Sequence, residues 1–84
     1  MELTDLPNIG KTLAGHLRRA GIDTPQKLRE TGAEGAWQRI RLTADSGACL
    51  HALSALAGAV AGVPKKELPD GRKAELRAFF NAHK

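Results

Sequence analysis

The chain has 84 residues, 42% of them hydrophobic and 26% charged. That balance excludes a disordered chain, and the length predicts a single domain over residues 1–84 with one modest core. Thirteen Lys and Arg against nine Asp and Glu leave a net charge of +4, which favours polyanions or acidic proteins as partners.

The one cysteine, Cys49, rules out an internal disulfide and suits a reducing compartment. Met1 is followed by Glu2 and Asp5 with no basic segment leading into an apolar run, so no secretory signal is expected. The stretch from Leu50 to Val63 is too short to cross a bilayer and is interrupted by His51 and Ser54. The expected compartment is the cytoplasm, with no membrane contact.

In chain order, the first signal is the turn Leu6-Pro7-Asn8-Ile9-Gly10, followed by a helix from Lys11 to Ala20 with Leu13, Leu17 and Ala20 on one side. Gly21 is a good stop for it. Thr24 is placed to cap a second helix, with Pro25 at its first position and Leu28 as its main apolar contact. Thr31 and Glu34 have capping-box spacing for a third helix through Ala36, Trp37, Ile40 and Arg41. A fourth helix carries Leu50, Leu53, Leu56, Ala57 and Val60 on one stripe among slim residues, which places it at the centre. Gly62 and Pro64 end it. The last helix buries Leu76, Phe79 and Phe80, and its other side carries Arg72, Lys73 and Arg77. No stretch alternates as a strand does. The fold class expected is therefore all-α: a compact orthogonal bundle of about five helices with a helix-hairpin-helix-like N-terminal part. Its core is expected to hold Leu13, Leu17, Leu28, Ile40, Leu50, Leu53, Leu56, Val60, Leu76 and Phe79.

The first turn carries the chemistry. Asn8 tolerates a left-handed backbone and Ile9 is apolar enough to anchor the turn inward. The N–H groups from Gly10 through Thr12 then lack intrahelical partners at the positive end of a helix dipole, where a phosphate oxygen is a favourable acceptor. Lys11 adds a formal charge. Ala14 and Gly15 are small enough to admit a neighbouring helix.

These residues resemble the helix-hairpin-helix motif, with Leu6, Pro7, Asn8, Ile9, Gly10, Ala14 and Leu17 at its pattern positions. Asn8 stands where the motif usually has glycine, and only Met1 to Asp5 precede the turn. The resemblance implies contact with a nucleic-acid backbone through Asn8, Ile9, Gly10, Lys11 and Thr12. Along nearly the whole chain, Leu6-Pro7-Asn8-Ile9-Gly10, Gly21-Ile22-Asp23-Thr24, Leu28, Gly32-Ala33 and Leu68-Pro69 through Leu76 resemble the C-terminal domain of the TfoX/Sxy bacterial competence regulators. That resemblance implies a helical domain tied to control of DNA-uptake genes, acting with a cyclic-AMP-responsive transcription factor. The N-terminal domain of the two-domain members has no counterpart here.

Cys49, His16, His51 and His83 have no metal-ligand spacing, and no paired carboxylates, nucleophile with its base, or Walker or dinucleotide loop stands out. Neither enzyme activity nor a cofactor, metal or small-molecule substrate is expected. Cys49 reads as a small, at least half-buried side chain. Trp37 reads as the edge of the core or as a partner-binding anchor. With two phenylalanines and no tyrosine, stacking on single strands has little to work with. The expected function is a regulatory or interaction module with a protein partner in transcription and weak, sequence-independent DNA contact. The alternative is a direct DNA-binding helix-hairpin-helix protein. Lys65, Lys66, Arg72, Lys73 and Arg77 form a second basic group whose position relative to Lys11 the sequence leaves open.

Overall fold

Turn chemistry sets the helix boundaries in the computed structural model, which describes residues 1–84. A short 3-10 turn, Leu3–Asp5, leads into the Leu6–Gly10 turn. Five α-helices follow: α1 (Lys11–Arg19), α2 (Pro25–Thr31), α3 (Ala33–Thr43), α4 (Leu50–Ala61) and α5 (Asp70–His83), with a second 3-10 turn, Lys65–Glu67, between the last two. There is no strand, so the structure is the all-α bundle that the periodicity predicts. Before α1 there is only a 3-10 turn, because Pro7 and the left-handed Asn8 follow it too closely for a full helix.

Thr24 caps α2 as expected: its Oγ1 accepts from the Lys27 N–H at 3.1 Å, and Pro25 occupies the first helical position. The start of α3 differs from the expectation. Gly32, at φ 82°, both closes α2 and opens α3, so the chain changes direction on one residue. Thr31 accordingly stays inside α2, where its hydroxyl donates to the Lys27 carbonyl at 2.8 Å.

Glu34, freed from capping, accepts two hydrogen bonds from Arg72 of α5, at 2.6 and 2.9 Å. Those bonds hold the Glu34 carboxyl below the usual carboxylate value, against the opposing effect of partial burial. A carboxylate with a depressed pKa contributes stability above its unfolded value and loses it as pH falls through the folded one. Glu34→Gln is therefore expected to cost about 1 kcal/mol or less near neutral pH. The gap between variant and parent should close in acid, where the parent is protonated too. Urea midpoints of the two chains across that range check this, and a gap that persists in acid would contradict it.

The core lies where α4 crosses α3 and α5. Leu17, Leu28, Ile40, Leu53, Leu56 and Leu76 are buried as expected, whereas Leu13, Leu50, Val60 and Phe79 are only partly covered and pack around its edge. Leu3, Leu6, Ile9, Ile22, Trp37 and Leu68 complete the interior. Ala14 is fully buried, but nothing approaches the position of a Cβ on Gly15, so the neighbouring helix closes on Ala14 alone. Cys49 is exposed ahead of α4, not half-buried.

Candidate nucleic-acid interface

The hairpin turn is built around Asn8, whose φ of 70° is the left-handed value expected for it and the only positive φ outside glycine. Its side chain is not turned toward a ligand. Nδ2 donates to the Val63 carbonyl at 3.0 Å and to the Ala55 carbonyl at 3.4 Å, while Oδ1 accepts from the Lys65 N–H at 3.1 Å. Asn8 is thus a clasp between the hairpin and the end of α4. That end is itself capped: Gly62 turns out of the helix at φ 77°, and the Val63 N–H donates back to the Gly58 carbonyl at 2.9 Å. Gly58 makes room for the clasp. A Cβ there would fall inside contact distance of Asn8 Nδ2 and 2.7 Å from the Val63 carbonyl oxygen.

The other predicted hairpin residues divide. Ile9 is buried, as an anchor should be, and its N–H donates to the Leu6 carbonyl at 3.4 Å. The Ile9 N–H is thus engaged within the turn, whereas Asn8 commits only its side chain to the clasp and its exposed backbone N–H donates to no protein acceptor. Gly10, Lys11 and Thr12 follow. All three are exposed, their amides donate to no protein acceptor, and they open α1 at its positive end. Gly10 has an ordinary φ of −91°, and no atom lies within 4 Å of where its Cβ would be.

Trp37 is fully buried, which corrects its reading as a partner-binding anchor. It packs edge-on against Phe79, with ring centroids 5.8 Å apart, and against Phe80 at 5.6 Å. The Arg41 guanidinium covers the indole at 4.9 Å from its centroid, and Arg41 also donates to the His83 carbonyl at the end of α5. Contact with two rings from α5 places the indole inside the core. The large apolar side chains left exposed are Met1 and Leu42, the latter 85% exposed beside a hollow lined by Gln38, Arg41, Ser46 and His83.

The second basic group also divides. Arg72 is committed to Glu34 and Glu75. Lys65, Lys66, Lys73 and Arg77 instead line a shallow groove of about 260 Å³ together with Leu50, His51 and Ser54. No carboxylate lies within ion-pair distance of those four cations or of Lys11, since the ion pairs of the chain involve only Lys27 and Arg72. His51 and Ser54 were not singled out from the sequence as site residues. The available signal is two polar residues three positions apart, on one side of an otherwise apolar helix.

No group of three or more His, Cys, Asp or Glu is placed to hold a metal, and no helix is long and apolar enough to cross a membrane.

A five-helix bundle opened by a clasped hairpin, with unpaired cations beside it, defines a small helix-hairpin-helix-like domain. The chain belongs to the TfoX C-terminal domain family, which matches residues 1–80. Among solved structures it is similar to two described as an uncharacterised protein and a protein of unknown function from Listeria monocytogenes, in triclinic and tetragonal crystal forms. Both are 41% identical and cover 98% of this chain; 92% and 99% of those chains are covered in turn, with TM-scores of 0.95 and 0.94. No curated protein matches.

Proposed function

We propose that this domain is a non-catalytic regulatory module of transcription-associated complexes, which holds nucleic acid by its backbone through the hairpin while a protein partner selects the target. Family membership supports the regulatory part, since the TfoX/Sxy resemblance implies control of gene expression with a partner factor. The observation that carries the contact is Gly10. Its φ is ordinary and no atom crowds it, so neither backbone angle nor steric room calls for a glycine, although glycine is also one of the favoured helix caps. An anion approaching the free amides of Gly10, Lys11 and Thr12 does call for one, because a Cβ would stand in its way. Such contacts position a backbone and carry no sequence information.

The test is duplex binding followed by fluorescence anisotropy at low salt. Gly10→Val is expected to keep the fold, with a capping loss of about 1 kcal/mol or less, and to weaken binding roughly tenfold or more, the equivalent of ~1.4 kcal/mol. Lys11→Ala should weaken it less and flatten its salt dependence. Binding that ignores both changes in folded variants would remove the hairpin from the interface.

A further inference from the structure

We infer that the groove formed by the first turns of α4, the Lys65–Glu67 turn and α5 is a second contact for the phosphodiester backbone, continuous with the hairpin through Asn8. This deepens the proposed function and rests on it.

Charge is the first argument. Lys65, Lys66, Lys73 and Arg77 converge on one shallow depression from two elements, and none has a carboxylate within 4.0 Å. Arg72, their neighbour on α5, is neutralised by Glu34 and Glu75. Cations that line one depression without acids beside them leave it with a positive potential, which attracts an anion.

The second argument is that the groove is built. Lys73 is half-buried, and its Nζ donates to the Lys66 carbonyl at 2.9 Å, which fixes one ammonium against the turn that carries two others. That turn is fixed in its place by Asn8, whose Oδ1 accepts from the Lys65 N–H at 3.1 Å. The residue that lines one end of the groove is therefore bonded to the hairpin two residues before Gly10. Ser54 and His51 add polar groups on the α4 wall that make no hydrogen bond within the chain.

The lining also selects the ligand class. Leu50 is its single hydrophobic residue, and the His51 imidazole is its single aromatic ring, with no Phe, Tyr or Trp beside it. An acidic protein partner would need an apolar anchor for a stable contact, and an unpaired base would need a stacking surface. For either purpose the groove offers only the partly covered Leu50 and one small imidazole, against four cations. A duplex backbone needs only cations and hydrogen-bond donors.

The slope of log affinity against log salt reads the number of phosphates neutralised, about 0.9 per contact on a duplex. A Lys65→Gln, Lys66→Gln, Arg77→Gln triple variant is expected to lose about 2–3 from that slope. The comparison is Arg29→Gln, Arg39→Gln, which removes two exposed cations outside the groove and should change it by much less. Lys73 is left intact because its ammonium supports the turn, and far-ultraviolet circular dichroism confirms folding of each variant. If the triple variant behaves like the Arg29/Arg39 control while Lys11→Ala still weakens binding, the groove inference is overturned and the hairpin reading stands. If the native chain binds no duplex at low salt, both fall. If the triple variant loses binding to polyglutamate but keeps its duplex binding and slope, the groove serves acidic proteins and the inference is overturned.

Discussion

Replacing Trp37 with alanine is expected to cost about 3–5 kcal/mol, the range for emptying a fully buried aromatic site. The indole is the largest fully buried side chain and is shared by α3 and α5 through Phe79 and Phe80. For a domain of this size each kcal/mol lowers Tm by roughly 4–8 °C, so the variant should melt at least about 12 °C below the parent. Trp37→Phe separates volume from polarity. It leaves a smaller cavity and removes the Nε1–H, which is buried without a hydrogen-bond partner and costs about 1–3 kcal/mol in that state. The phenylalanine variant should therefore lose less than half of what alanine loses. Calorimetric melts of the three chains decide this. A Trp37→Ala variant that melts like the parent would mean the indole is not packed between the helices.

Gly58→Val should rank next, and through a different mechanism. The glycine lies inside α4, where alanine would ordinarily stabilise a helix by about 1 kcal/mol. Here a side chain must displace both the Asn8 amide and the Val63 carbonyl, and overpacking of that kind costs about 1–3 kcal/mol. The hydrogen bonds of the Asn8 side chain add to the loss, at about 0.5–1.5 kcal/mol each. Gly58→Ala should also destabilise despite its better propensity. Combining it with Asn8→Ala removes one of the two obstructing groups, so the double variant should lose less than the sum of the singles. Additive urea-denaturation losses would contradict the clasp.

The two sites explain how much of the molecule could be read without coordinates. Helix positions, the Thr24 cap, the Pro25 start and most of the leucine core follow from local periodicity and capping, which act within a few residues. The left-handed turn at Asn8 was legible for the same reason. What the Asn8 side chain does was not, because its partners at Ala55, Val63 and Lys65 lie 47–57 residues away. Trp37 was ambiguous for a related reason: a lone tryptophan on a helix can face either way until Phe79 and Phe80 arrive from α5. The Thr31–Glu34 spacing fitted a capping box, but one glycine at positive φ shifted the boundary and gave Glu34 to Arg72. The basic residues after Pro64 were plain in the sequence. Their division into a paired Arg72 and an unpaired groove is a tertiary property.

Asn8 ties the hairpin to the Lys65–Glu67 turn that lines the groove, and the proposed contact uses both. That geometry fits backbone binding without base readout, since the exposed donors are amides, ammonium groups and a guanidinium on small or aliphatic surroundings. A partner would then be needed to choose a site.

The most direct measurement is the affinity of the native chain for two unrelated duplexes of equal length, at about 50 mM and about 200 mM salt. With about four phosphates engaged, affinity should fall roughly a hundredfold across that interval, and the two sequences should bind alike to within about threefold. No binding at the lower salt, or binding indifferent to salt, would contradict the account, and a strong preference for one sequence would contradict its claim that only the backbone is held.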